Sequence, residues 1–347
     1  MKISGLSAKF PSKKMSNSDV VEVLRSQSQA FFNSGNSSLL RRLEQKLDES
    51  GIESRYWFDK NEPWYPTMKA AIDEALEKAQ VERDEIDLVI YSSVFRRVLE
   101  PGMSTLIASA YGIHNANCFD LIEACAGWLR AMEVAQNFLK GGSARNILVL
   151  NAEAGVHEGE YGFETFKISS EDDLESSYSA LTLGEAVSAT VLSAEEDDFL
   201  FNWSSHPKYA DLCTVGLPDT NPAGDILGDL RINQKAPKRF TCYAGKMNTV
   251  GFKKCYKLLQ DTKSVWQSAD AIVPHAHTLE GVKRMLAKSK SDHPLLSTFP
   301  NNGNTASCSL PLGISQGVEK GIIKSGSKIF CIMTAAGLSM GTVALTL

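Results

Sequence analysis

Two distant stretches of the chain carry the same succession of local signals, and that repetition constrains the fold more than any single motif. Residues 121–150, LIEACAGWLRAMEVAQNFLKGGSARNILVL, begin with a small-residue turn. Helical spacing follows through Trp128, Met132, Ala135 and Leu139, Gly141 and Gly142 stop it, and Ile147 to Leu150 read as an apolar strand. From Asn304 a second small-residue turn leads through GISQGVEKGIIKSGSKIFCIMTAAG, again helix, Gly stop and strand. Both copies close on Ala-Gly, and DAIVPHAHT in the second half parallels DLVIYSSVF in the first. Two halves that each alternate strands and helices imply an α/β protein with mostly parallel sheets and right-handed crossovers. The division falls near Asp197, giving halves 1–196 and 197–347.

At 347 residues and 43% hydrophobic content, the chain can bury a large core. The sequence holds no apolar run of membrane-spanning length, and MKISGLSAKFPSKK lacks the apolar centre of a signal peptide, so a cytoplasmic location is expected. Seven cysteines without CxxC spacing read as free thiols rather than as a disulfide framework or a zinc site. A formal net charge of -5 with no dominant basic tract argues against nucleic acid as the main partner.

Along the first half, residues 3–10 predict a strand, and Asn17-Ser18-Asp19 a cap for a helix running toward Phe32. The polar stretch 33–51 reads as a loop or irregular helices, and Thr67 as the cap of an amphipathic helix with Met68, Ile72, Ala75, Leu76 and Ala79 on one face. DLVIYSS predicts a strand buried on both faces, and Glu100-Pro101 the opening of a helix through Ala110. Residues 156–180, rich in Gly, Glu and Ser, read as an excursion over the surface.

Cys125 stands where the turn meets its helix. Unpaired N–H groups and the positive dipole end at a helix N-terminus favour a thiolate, and the small neighbours Ala124, Ala126 and Gly127 leave a sulfur open. A lone cysteine between alanines is also an ordinary way to fill a core, so packing and nucleophile both fit this stretch. In the second half, His275 follows an apolar strand and Asn304 lies in NNGNTAS before a helix. A histidine ending a strand is often structural, and GNT is a common turn.

Together these motifs resemble a known family. EACAGW is similar to the nucleophile turn of the β-ketoacyl-acyl-carrier-protein synthase III group of the thiolase superfamily. PHAHT resembles that family's His turn, GNTAS its Asn turn, LTLGEA its Gly-acidic-small turn, GIESRY a segment after its cofactor-gripping loop, and TAAGLSMGTVALTL its C-terminal segment. The resemblance spans nearly the whole chain and implies a thiolase fold, with duplicated βαβ-rich halves in α-β-α-β-α layers. It implies that Cys125, His275 and Asn304 form the catalytic triad of a homodimer acting on acyl-carrier-protein or acyl-coenzyme A thioesters, with no tightly bound cofactor and no metal. Cys125 would carry the acyl group, its backbone N–H and that of Gly337 would form the oxyanion hole, and His275 and Asn304 would donate to the carbonyl of the second thioester.

Departures from the family pattern refine the expectation. Trp128 replaces a Phe beside the nucleophile and either reshapes the acyl pocket or simply buries a large helix-face residue. Where coenzyme A-gripping relatives carry a Trp and Arg before GIESRY and an Arg after the His turn, this chain aligns Gln45, Glu49 and Glu280. A carrier-borne acyl group is therefore expected over free coenzyme A, with Lys253, near the start of a predicted helix, and Lys283-Arg284 as carrier-docking cations. His277 reads as structural or pocket-lining.

Glu100 is the sharpest departure. It stands where housekeeping synthases place a Phe that crosses the dimer, and it resembles the Glu of head-to-head thiolases of olefin biosynthesis that enters the neighbouring site as candidate base. The competing reading is an ordinary helix N-terminal carboxylate. The expected activity is Claisen condensation of a Cys-bound acyl group with a malonyl or β-ketoacyl carrier thioester in specialised lipid or polyketide biosynthesis. Alternatives are non-decarboxylative head-to-head condensation, acyl transfer to an oxygen or nitrogen nucleophile, and a non-catalytic dimer partner.

Overall fold

The computed structural model describes residues 1–195, 198–216, 239–275 and 279–347. His277 and Thr278 lie outside the described residues. The first half supplies seven strands: β1 Lys2–Lys9, β2 Lys13–Ser16, β3 Ser54–Trp57, β4 Leu88–Tyr91, β5 Asn117–Asp120, β6 Asn146–Glu153 and β7 Ala186–Ser193. The second supplies β8 Leu200–Ser205, β9 Cys213–Val215, β10 Phe240–Cys242, β11 Ala271–Pro274, β12 Lys328–Ala335 and β13 Ser339–Thr346.

Two large sheets repeat one topology. The first has the order β1-β7-β6-β4-β5, and the second, read from the other end, β8-β13-β12-β11. In each, the first two pairings are antiparallel and the third is parallel. Even the fifth strand has a counterpart, since Leu295 bridges Ile272 of β11 in parallel, as β5 pairs with β4. The duplication read in the sequence is thus present strand for strand.

The layering follows from which faces are apolar. Helix Gly127–Lys140 and helix Ser309–Glu319 share one core cluster with Ile90, Val149, Ile329, Cys331 and Val343, so they form a helical layer between the two sheets. Helix Trp64–Ala79 and helix Met103–Ala110 cover the other face of the first sheet through Met68, Ile72 and Ile107. Helix Ala244–Asp261 covers the outer face of the second through Cys255, Leu258 and Leu259. The five layers expected of a thiolase fold are all present. Strands sandwiched in this way have no polar face, which explains the unbroken burial of Leu88 to Tyr91.

Several local expectations are corrected. The first helix, Asn17–Gln27, is capped by Ser16, whose hydroxyl accepts from the Asp19 N–H while Asp19 accepts from the Ser16 N–H, a reciprocal capping box. Residues 38–49 form a regular helix despite their polarity, because buried Leu43 and Leu47, with Leu39 and Leu40 packed beside them, seat it on an apolar cluster. Thr67 lies inside its helix, which starts at Trp64, and Pro66 is tolerated because it falls in the first turn, where no intrahelical partner is lost. Residues 156–180 are no mere surface excursion. Phe166 and Ile168 join Val20, Leu24, Phe32, Trp57 and Phe299 in a fourth apolar cluster, and Arg239 reaches in to donate to Ser177 at 2.6 Å.

Pro101 does not open a helix. The helix begins at Met103, and Asp120 at the end of β5 caps it, accepting from the Met103 and Ser104 N–H groups at 2.9 Å and from the Ser104 hydroxyl at 2.7 Å. Replacing Asp120 with Ala should remove this cap and cost about 1–2 kcal/mol. Urea denaturation should show a lower midpoint with an unchanged slope, and an unchanged midpoint would show that the cap contributes nothing.

Candidate active site

The nucleophile turn is a single 3-10 turn, Ala124–Ala126, immediately before helix Gly127–Lys140. Its mirror in the second half is the 3-10 turn Ala306–Cys308 before helix Ser309–Glu319. Ala124 and Ala306 both adopt left-handed backbone, at φ 46 and 42, so Cys125 and Ser307 are equivalent positions of the repeat. Left-handed alanine is unfavourable, and both turns hold it because packing on every side determines the backbone. Gly127 shows how close that packing is: a Cβ there would stand 2.4 Å from the Ser92 hydroxyl oxygen, beyond the end of β4.

The two turns pack against each other, and the Cys125 turn also packs against β12 and β13. Gly337 lies in the connection between those two strands, with φ 115, a conformation that excludes ordinary side chains. His275 is buried, and its backbone N–H donates to Ile332 O on β12 at 2.8 Å. Thus Cys125, His275, Asn304 and Gly337 all lie on segments that abut one another through β12 or the paired turns.

Asn304 is clamped by the other half of the molecule. Its N–H donates to Thr182 O at 2.8 Å and its carbonyl accepts from the Gly184 N–H at 3.0 Å. Its side-chain Oδ1 accepts from the Ala306 N–H at 3.0 Å, which fixes the amide orientation and aims Nδ2 as a donor. His275 Nδ1 lies 2.8 Å from the Ser309 hydroxyl, whose proton is donated to Ala306 O at 2.8 Å. With the hydroxyl proton so placed, the Ser309 oxygen can accept from an Nδ1–H of His275.

Electrostatics runs against the simple expectation for Cys125. Burial pushes its thiol up to about 12, the Glu153 carboxylate and Cys242 add in the same direction, and a backbone N–H opposes them. Desolvation outweighs the helix N-terminus because the thiolate is withdrawn from water and faces a second anion. Glu153 is the functional residue that sequence reasoning missed. It ends β6, accepts from the Ser307 hydroxyl at 2.5 Å, and takes weaker bonds from the Val94 and Ser307 N–H groups at 3.4 Å. Burial pushes its carboxyl up to about 7 against those hydrogen bonds. Its signal was legible as the one charged residue closing the apolar run ILVLNAEAG.

The other expected positions are dispersed. Trp128 is fully buried, and its indole N–H donates to Thr190 of β7 at 3.0 Å, an anchored core residue. Glu100 is exposed on this chain, beside Leu99 at 70% exposure. Lys253 is exposed in the middle of its helix rather than near the start, and Lys283 and Arg284 are exposed on helix Leu279–Lys288, which packs beside it. Gln45 donates to Glu49 at 2.9 Å on an exposed helix face that also carries Arg41, Arg42 and Lys46, cations the sequence alignment did not single out. The side chain of Glu280 is not among those described. Among the described residues, no cluster of His, Cys, Asp and Glu could hold a metal ion, and no helix is long and apolar enough to cross a membrane.

Comparison with known proteins bears on this arrangement. Residues 119–206 match the 3-oxoacyl-[acyl-carrier-protein] synthase III family, and residues 259–347 match its C-terminal family. The chain belongs to the synthase III-like family of the thiolase superfamily. It is 26% identical to the β-ketoacyl-[acyl-carrier-protein] synthase III of Neisseria meningitidis serogroup B, over 99% of this chain and 98% of that one. The synthase III of Clostridium novyi is 25% identical over 85% of this chain and 87% of its own. Among solved structures, Xanthomonas campestris OleA with bound lauric acid and lauroyl-CoA superposes with a TM-score of 0.80 at 20% identity, over 99% of this chain and 98% of that one, which shows the shared fold. This synthase III-like protein is an acyltransferase of the cysteine-dependent, Claisen-condensing type.

Glu153→Gln tests the electrostatic reading. The wild-type carboxyl ionises above about pH 7, and its charge then holds the Cys125 thiol up. The variant should alkylate Cys125 with iodoacetamide faster than wild type above pH 7, by up to about tenfold, and equally below it. Equal rates across the whole range would show that Glu153 does not act on the sulfur.

Proposed function

We propose that the halves 1–196 and 197–347 jointly build one site in which Cys125 takes an acyl group from a thioester and condenses it with a second, carrier-borne thioester. The observation that carries this reading is the seating of the Cys125 turn against the Asn304 turn and against β12, to which His275 is bonded. His275 Nε2 takes the Cys125 proton, and the thiolate attacks the first thioester. The N–H groups of Cys125 and Gly337 hold the oxyanion, which collapses to the Cys125 thioester and expels the carrier thiolate, protonated by solvent. In the second step the protonated Nε2 and the Asn304 Nδ2 donate to the carbonyl of a malonyl-type thioester and stabilise the enolate left by loss of carbon dioxide. The enolate carbon attacks the Cys125 acyl carbon, and the sulfur released takes its proton back from Nε2.

A raised thiol suits this order of events. Cys125 stays protonated until a substrate carbonyl and His275 are both in place, which limits side reactions with other electrophiles. The acyl donor is a carrier protein thioester in the cytoplasm, docked on Lys253, Lys283 and Arg284. These lie on two adjacent exposed helices, where Lys288 also stands 4.7 Å from the centre of the Tyr256 ring.

The protein works as a homodimer joined at β5. That strand is an edge of the first sheet, and the exposed apolar residues Leu99 and Ile122, at 70% and 66% exposure, flank it. A second reading of the chemistry rests on the same edge. The loop carrying Glu100 is held beside β5 by the hydrogen bonds that Asp120 accepts from Met103 and Ser104, so a dimer formed there brings Glu100 toward the partner. In that case Glu100 serves as base for a non-decarboxylative condensation.

Intact-mass analysis after incubation with acyl-carrier donors should show one acyl adduct on wild type and none on Cys125→Ala; wild type without an adduct would leave only a non-catalytic dimer partner. A product assay with malonyl-carrier against a simple acyl thioester separates the two chemistries. Product from malonyl alone, with Glu100→Ala unimpaired, supports the first, whereas product from the simple thioester that Glu100→Ala abolishes supports the second. Ile122→Asp should convert the dimer to monomer in light-scattering chromatography, and a dimer that persists would place the interface elsewhere.

A further inference from the structure

Beside the nucleophile lies a second pair of thiols that the condensing chemistry does not use. Cys213 of β9 and Cys242 of β10 face each other in the antiparallel register of a two-stranded sheet. The next pair outward, Leu212 and Tyr243, is hydrogen-bonded, with the Tyr243 N–H donating to Leu212 O at 2.9 Å. Pairs alternate along an antiparallel ladder, so Cys213 and Cys242 occupy a non-hydrogen-bonded position, where Cα atoms stand about 4.5 Å apart and side chains emerge on one face. Disulfides span Cα separations of roughly 4.4 to 6.8 Å. No backbone movement is needed to join these two sulfurs.

The surroundings set the roles within the pair. Cys213 is half-buried, open enough to admit a small oxidant, and Cys242 is buried. The Cys213 thiol hydrogen-bonds to the Cys242 sulfur, which is held below the usual thiol range by that bond and by the Ser179 hydroxyl, against the cost of burial. Cys213 is raised in turn. Cys242 is therefore the member that ionises, and Cys213 the member that resolves. Cys242 acts electrostatically on Cys125, and Cys125 on Cys213, so the three sulfurs share one neighbourhood.

We propose that Cys213 and Cys242 form a reversible disulfide when the protein meets hydrogen peroxide or a related hydroperoxide. The Cys242 thiolate attacks one peroxide oxygen, breaking the O–O bond and giving Cys242 sulfenic acid and, with one proton, water. The Cys213 thiolate then attacks the sulfenic sulfur. The S–S bond forms, and the hydroxide that leaves takes up the Cys213 proton as a second water. Two thiols are oxidised by two electrons and one peroxide is reduced. An external thiol such as dithiothreitol reverses the step. The cross-link depends only on the geometry of β9 and β10, not on the reading of Cys125 as the nucleophile.

Peptide mapping of the full chain under non-reducing conditions, after graded hydrogen peroxide, reads the cross-link directly. Wild type should lose two hydrogens in mass and two titratable thiols, yield a single 213–242 linked peptide, keep Cys125 unmodified, and return to its starting mass with dithiothreitol. Cys213→Ser should stop at a sulfenic acid on Cys242, trapped by dimedone, and Cys242→Ser should form no cross-link. Serine is close to isosteric with cysteine, and the wild-type map stands without either variant. A map with no 213–242 peptide, or with Cys125 in the linked peptide, overturns the assignment, whereas loss of acyl loading on wild type touches only the catalytic reading.

Discussion

Everything at the centre of this molecule depends on two short turns meeting between the sheets. Each turn carries an alanine in left-handed backbone, and each feeds a helix of the central layer. Neither turn is stable by local preference, since alanine in that conformation is unfavourable by roughly 1–2 kcal/mol. They persist because each is packed on the other and on strands of both sheets. Glu153 adds a polar tie across the seam by accepting from Ser307, the position that mirrors Cys125. The geometry of the Cys125 turn is therefore imposed from outside the motif that contains it.

That imposed geometry brings an electrostatic tension. A buried sulfur next to a buried carboxyl is held as a thiol, and a helix N-terminus does not offset the loss of water. On the other side of the site the Ser309 hydroxyl lies 2.8 Å from His275 Nδ1 and 2.8 Å from Ala306 O, and so orients the imidazole ring. Reactivity in such a site is conditional, appearing when substrate and base are assembled rather than as a property of the free thiol. The neighbouring dithiol of β9 and β10 has the opposite character, with one sulfur lowered by hydrogen bonds from its partner and from Ser179.

The outer parts of the fold serve different ends. The cap built on Phe166, Trp57 and Phe299 draws residues from both halves, and buried Arg55 ties it inward by donating to Asn17 and to Leu181 O at 2.9 Å. Burial holds that guanidinium down to about 10, a cost tolerated because its donors close carbonyl and amide oxygens that would otherwise be stranded. At the opposite margin, β5 leaves an edge with exposed Leu99 and Ile122, a surface whose apolar character a lone chain has no use for.

By itself the sequence determined the architecture. Apolar runs such as DLVIYSS and KIFCIMTA can only be buried on both faces, and their recurrence in two halves leaves few alternatives to paired sheets around a helical layer. It also marked Cys125, His275 and Asn304 as candidates, because their turns taken together resemble those of a known family, although each turn alone is an ordinary one. Tertiary structure alone decided the rest. Glu153 was invisible as a partner of Ser307 because the bond joins residues 154 positions apart. The left-handed alanines were invisible because nothing in alanine announces that backbone, and the facing of Cys213 and Cys242 because register between strands is set by long-range packing. Helix 38–49 showed the same limit in the opposite sense: leucines seated on an apolar cluster sufficed to order a segment whose composition reads as a loop. Local sequence reports what a residue prefers, and only the assembled chain reports what surrounds it.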